Sequence, residues 1–272
     1  MIVTSDQPRS LGPGVRAAID ALGLGASDFV AAGDDRGVTL LRPVATGADV
    51  GVLHQPAPDP VALLDEADRL LWLAGVAPAP QVIAAGRADE GDEAVVVRLG
   101  ADATSAAAGH PMGPEALLDT LAAALDALHR RTTEHCPFAA DTSTLRRIVD
   151  DRVARGLVGD AVDGPYVGRG AAELAGIFDG LMADLGEATD PVFVHGALDP
   201  TRIWLDPSGE VTFLGWLWAG VGDRHVDLAA AAMLLTRLHG PALVAPFLDA
   251  YGFDRVDIRR LDAHQLLAHL LA

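Results

Sequence analysis

His195, Asp199 and Arg202 stand within eight consecutive residues and bring an imidazole, a carboxylate and a guanidinium together. An imidazole can take or give a proton near neutral pH, a carboxylate can do so when its surroundings tune it, and a guanidinium binds oxyanions through a planar fork of donors. Three of the four tryptophans, Trp204, Trp216 and Trp218, follow within the next sixteen residues. Large amphipathic rings beside a cation suit an apolar or aromatic ligand pocket in which Arg202 faces an anionic group; they equally suit ordinary strand packing. His54 adds another imidazole far upstream. No nucleophile–base pair stands out, and no His/Cys spacing resembles a closed zinc site, so these residues favour binding slightly over catalysis.

The rest of the composition narrows what could be bound. A formal charge of −18 and a pI near 4.6 leave no basic surface for nucleic acid or an anionic membrane, and they favour a cationic small molecule or a basic partner. All twenty basic residues are arginine. The single cysteine, Cys136, has no internal disulfide partner, which fits a reducing compartment. Met1 to Ser10 lacks an apolar signal core, and the apolar run Leu228 to Leu235 is far too short to span a bilayer. The expectation is a cytoplasmic protein, neither exported nor inserted in a membrane.

The elements that must carry these residues fall into two groups. Asp28 to Ala32, Gly37 to Arg42, Val50 to His54, Val82 to Ala85 and Ala94 to Leu99 are short apolar runs punctuated by Gly, Pro and Asp, as strands are. One helix separates the third run from the fourth, with Asp59 as N-cap, Pro60 at its first position, Leu63, Leu64, Ala67, Leu70, Leu71 and Ala74 at helical spacing, and Gly75 as its stop. From about residue 103 the periodicity becomes helical: from Pro114, over Thr142 to Gly156, Ala171 to Leu185, Asp227 to Leu238, Pro241 to Tyr251 and Arg259 to Leu271. Ile203 to Leu205 and Val211 to Leu214 flank the turn Asp206-Pro207-Ser208-Gly209 and predict a hairpin. The expected organisation is α+β, with a small β-rich lobe over residues 1–102 and a larger helical lobe, containing the hairpin, over 103–272.

That order, together with His195-Gly196-Ala197-Leu198-Asp199-Pro200-Thr201-Arg202-Ile203, resembles the aminoglycoside phosphotransferase family, a branch of the protein-kinase-like fold, over nearly the whole chain. Gly222-Asp223 and Asp227-Leu228-Ala229 follow as in the family. His135-Cys136-Pro137-Phe138 and Phe247-Leu248-Asp249-Ala250-Tyr251-Gly252 point to its 3′-phosphotransferase subgroup. The resemblance implies a two-lobed kinase-like fold. It also implies a catalytic Asp, a metal-binding Asn, a second metal-binding Asp and a phosphate-gripping Lys.

These functional positions carry other residues here. The catalytic Asp falls on Ala197, the metal-binding Asn on Arg202, the second metal-binding Asp on Gly215 and the strand Lys on His54; the helix Glu that partners the Lys is retained as Glu66. A general base contributes roughly 3 to 5 kcal/mol, and metal charge stabilisation several more. Without either, a pseudokinase with no metal is expected, needing no cofactor and with the grounds for magnesium–ATP binding weakened by the same losses. The acidic tail that holds substrate ammonium groups in the subgroup is replaced by Leu267-Ala268-His269-Leu270-Leu271-Ala272, although Asp249, Asp254, Asp257 and Asp262 supply nearby charge.

What remains supports an interlobe cleft kept for a small molecule or partner protein, with Arg202, Trp204, Trp216, Trp218 and Glu66 as binding residues. Arg202 at the metal position would allow metal-independent binding of a nucleotide or other phosphate. The alternative is an enzyme of specialised metabolism whose repurposed cleft works without ATP through Asp199, His195, His54 or Arg202. A third reading keeps residual antibiotic phosphotransferase activity. The family makes His195 a scaffold residue, and Asp227 is expected to cap the helix after it and to tie the loop down, with Asp223 in similar structural work.

Overall fold

The computed structural model describes residues 16–17, 19–20, 23–25, 29–35, 38–43, 50–55, 63–74, 78–87, 93–100, 102–106, 112–158, 166–188, 190–199 and 202–271. The chain divides into two compact units, the first made of Met1–His110 with Ile203–Leu217 and the second of Pro111–Arg202 with Trp218–Ala272. Strands dominate the first and helices the second, an α+β organisation.

In the first unit β1 (Phe29–Asp35), β2 (Val38–Pro43), β3 (Val50–Gln55), β4 (Val82–Arg87) and β5 (Glu93–Arg98) form an antiparallel sheet in the order β1-β2-β3-β5-β4. Ala94, Val95, Val96 and Val97 of β5 are all buried, because that strand lies between β3 and β4; edge strand β4 alternates instead. Helix α1 (Leu64–Trp72) follows β3 and buries Glu66, Ala67 and Leu70. Leu63 offers α1 no side-chain cap, and the orphan N–H of Leu64 is satisfied by Glu93 Oε2 at 3.1 Å. The expected start at Asp59 and Pro60 and stop at Gly75 lie outside the described residues. β6 (Thr104–Ser105) pairs with the hairpin strand β9 (Ile203–Leu205), which pairs with β10 (Val211–Phe213). That long-range ladder gathers residues 203–217 into this unit.

In the second unit Pro114 occupies the first turn of α2 (Pro114–His129), whose Leu117, Leu118, Leu121, Leu125 and Leu128 are buried on one face. Strand β7 (Ala139–Ala140) leads to α3 (Thr142–Ala154), capped by Asp141, whose Oδ1 accepts from Thr144 N at 2.8 Å. Helix α4 (Ala171–Leu185) ends at Gly186 with φ +68°. Strands β8 (Val192–Val194) and β11 (Gly220–Gly222) pair antiparallel, and β11 runs parallel to β7. Helices α5 (His225–His239), α6 (Val244–Tyr251) and α7 (Ile258–Leu271) complete the unit. A core of Leu145, Val149, Leu174, Phe178, Val194, Val226, Leu266, Leu267 and Leu270 joins α3, α4, β8, α5 and α7. Among the described residues no helix is long and apolar enough to cross a membrane.

Candidate functional site

The loop from His195 to Arg202 leaves the buried strand β8 and is fixed from behind by the first turn of α5. Asp227 is wholly buried there; its Oδ2 accepts from His195 N at 2.7 Å and its Oδ1 from Gly196 N at 2.9 Å. The expectation that Asp227 caps its helix is corrected: α5 starts two residues earlier, at His225, and Asp227 turns its oxygens to the loop instead. Asp223 serves nearer the end, accepting from His225 N at 3.0 Å. Gly196 has φ +85°, a conformation that disfavours side chains, and a Cβ added there would lie 2.5 Å from the Trp218 carbonyl oxygen.

Burial would push the Asp227 carboxyl upward in pKa. The hydrogen bond and charge of His129, the charge of His195 and its backbone N–H outweigh it and hold the group below the usual carboxylate range. His129 Nε2 lies 3.2 Å from Asp227 Oδ2, and its Nδ1 lies 2.8 Å from the Tyr251 hydroxyl. Buried His195 accepts at Nδ1 from Ala197 N at 3.3 Å. Its position suits a loop support.

Beyond Ala197 the loop curls back. Arg202 N donates to Asp199 O at 3.1 Å, Arg202 Nη1 to Ala197 O at 3.1 Å, and Arg202 Nε stands 3.0 Å from Asp199 Oδ2. Asp199 is therefore engaged by the guanidinium three residues on. The Arg202 Cζ lies 5.8 Å from the centre of the Trp218 ring, and Arg152 Cζ on α3 lies 5.3 Å from the same centre. Both distances suit cation–π attraction. Arg152 escaped the sequence reading, because nothing near residue 152 announces the ring of Trp218 or the carbonyl of Leu270, both far along the chain. Beside Ala197 and Asp199 is a cavity of about 10 Å³ walled by Leu198, Val226, Ala268 and Leu271, hardly more than one water needs.

The first unit holds the other predicted residues. Glu66 is buried on α1, and its Oε1 accepts from both Gly215 N and Trp216 N at 2.9 Å. Trp216 is fully buried in a 3₁₀ turn, its indole N–H donating to Phe213 O at 2.7 Å. Trp204 is 4% exposed on β9, opposite Thr212 on one side and Ser105 on the other. His54 lies on β3 opposite Ala94. The second unit thus brings Arg152 and Arg202 to the Trp218 ring with Asp199 on Arg202, whereas Trp204, Trp216 and Glu66 lie in the first unit.

Of the two positions to which the family resemblance assigns metal ligands, Arg202 carries a cation with no lone pair to give and Gly215 carries no side chain.

A family model described as the phosphotransferase enzyme family matches residues 25–264. An aminoglycoside 3′-phosphotransferase of Streptomyces fradiae is 35% identical over 222 residues, covering 75% of this chain and 78% of that protein. One of Streptomyces ribosidificus is 32% identical over 220 residues, covering 74% and 78%. The crystal structure of an aminoglycoside 3′-phosphotransferase of type VIII superposes with a TM-score of 0.76 at 26% identity, covering 95% of this chain and all of that one. The fold of this chain is kinase-like, as the family resemblance implied.

Proposed function

This chain belongs to the phosphotransferase enzyme family, and from that premise we propose that it binds rather than phosphorylates: a pseudokinase toward magnesium–ATP, its fold kept to hold a small molecule or partner protein. The observation that carries this reading is Arg202. At the position where the family places a metal-binding Asn, a guanidinium is held by the Ala197 carbonyl and the Asp199 carboxylate. A second cation there is repelled, and Ala197 has no group to accept a hydroxyl proton. Because base and metal act as a unit in phosphoryl transfer, the losses are not additive, and repairing one position restores nothing.

A second reading, transfer of phosphate to an aminoglycoside, is favoured by the activity named for the Streptomyces relatives. One experiment separates the two. Purified protein is incubated with ATP, magnesium and a panel of aminoglycosides, with an active 3′-phosphotransferase run in parallel, and phosphorylated drug is sought by mass spectrometry. We expect none, and no ATP consumption above the protein-free rate; a magnesium-dependent phosphorylated product overturns the proposal.

A further inference from the structure

A cavity of about 400 Å³ opens in the second unit, between the segment Cys136 to Asp141, the residues before β8 and the end of β11. It is separate from the His195–Arg202 loop. That loop follows Val194, which lies opposite Gly220, whereas the cavity is lined by Pro191, Gly222 and Asp223 at the other end of the β8–β11 pair, where Val192 lies opposite Gly222. Pro137, Phe138, Pro191 and Val221 give it apolar walls, and Asp141, Glu187 and Asp223 contribute carboxylates. Small-molecule pockets of roughly 300 to 1,000 Å³ combine such walls with a few placed polar groups. The wall is fixed in place, because β11 packs so closely on β7 that a side chain at Gly222 would collide with the Ala140 carbonyl. Burial would raise the Asp223 carboxyl in pKa, but the hydrogen bond of His225 and the charges of His264 and His225 hold it well below the usual carboxylate range. Its Oδ2 also accepts from Arg260 Nη1 at 2.9 Å. Burial would likewise raise Asp141, and hydrogen bonds from Ser143 Oγ at 2.7 Å and Thr144 N at 2.8 Å lower it. Those two donors carry no charge, and among the described residues no arginine or histidine pairs with the Glu187 carboxylate.

We propose that this cavity binds a small organic amine, its ammonium group drawn by the carboxylates of Asp141, Glu187 and Asp223 and its hydrocarbon part lying against Pro137, Phe138 and Pro191. A concave wall with apolar surroundings strengthens the attraction between an ammonium and a carboxylate relative to open solvent. A neutral molecule of the same shape keeps only the apolar part of that attraction, and an anion is repelled. The site goes beyond the binding role above and does not depend on whether phosphate is transferred, since no residue of the His195–Arg202 loop lines it.

The test titrates the full chain calorimetrically at neutral pH and low ionic strength with benzylamine, putrescine and benzyl alcohol. At least one amine should bind saturably with a Kd below about 1 mM, benzylamine alone marking an aromatic ligand and putrescine alone a linear one. E187Q and D141N should each weaken that binding about two- to fivefold, and together about tenfold; asparagine at 141 still caps α3. Cys136, the only cysteine in the chain, lines the cavity and locates the bound amine, which should slow its modification by methyl methanethiosulfonate as followed by intact mass. Absent or weaker amine binding, benzyl alcohol bound as well as benzylamine, affinity unchanged in the double variant, or a Cys136 rate unaffected by saturating amine overturns the inference. If Cys136 does not react even without ligand, the two variants decide the matter. ATP turnover in the separate assay overturns the pseudokinase reading and leaves this site standing, whereas a failed amine titration overturns this site alone.

Discussion

Asp227 shows how one side chain can hold the backbone of a whole loop. Both its oxygens accept main-chain N–H groups of the loop, and His129 closes the remaining side. Asp227→Ala leaves two buried donors without partners and should cost about 3 kcal/mol or more, read as a lowered Tm in thermal melts. Asp227→Asn keeps one acceptor but turns an amide N–H₂ toward a donor, and should fall between; an alanine variant that melts with the parent would refute the anchoring role. The family resemblance carried by Asp227-Leu228-Ala229 made this residue legible as a loop tie. It misled on the cap, since the helix start is set two residues earlier by Asp223, which accepts from His225 N and holds the His225 ring at 2.6 Å. Arg152 was illegible, its role existing only where α3 and the loop after β8 meet.

The hairpin and the helix α1 are joined by a comparable device. Glu66 reaches the backbone just after β10, so Glu66→Ala should orphan the N–H groups of Gly215 and Trp216 and cost about 2 to 4 kcal/mol in urea denaturation, with Glu66→Gln costing less because its carbonyl still accepts. Gly196→Ala forces a side chain into a left-handed backbone against the Trp218 carbonyl and should cost about 2 to 3 kcal/mol; full stability in that variant would contradict the packing described. Helical elements were legible where local chemistry is complete: Pro114 opens α2, and α4 runs from Ala171 to Leu185 as its periodicity predicts. Pro241 to Tyr251 reads as one helix but divides into a 3₁₀ turn and α6, a change of hydrogen-bond pitch that side-chain spacing does not report. Glu66 was legible as a retained residue, but not the backbone partners it holds.

At the scale of the molecule, acid sensitivity is carried most clearly by the buried groups His264, Asp223 and Asp227. His264 is pushed below the ordinary histidine value by burial, which outweighs the attraction of Asp223 and the bond to Arg260 O. An unfolded histidine gains its proton near pH 6.5 while the folded one resists, so His264 contributes stability that is complete above about pH 6.5 and is lost as pH falls toward its folded pKa. Asp223 is raised by burial but lowered further by His225 and His264, and Asp227 also lies low. Their contributions persist above the ordinary carboxylate range and disappear as pH drops below about 4. Urea titrations should show a shallow loss between about pH 6.5 and 5 and a steeper one below about 4, with His264→Gln flattening the first step. Constant stability down to about pH 4.5 would contradict the assignment. Fold class was readable from the alternation of short apolar runs followed by long helical periods. Residues 203–217 join the first unit through β6 and Glu66, pairings between distant segments that no local signal encodes.

Because both oxygens of Asp227 accept main-chain N–H groups, the pattern His-Gly with an Asp 31 residues after the Gly is a signature of foldability. On the proposed reading, a survey of sequences keyed to that pattern would group this chain with active 3′-phosphotransferases, whereas one keyed to positions 197, 202 and 215 would sort it apart.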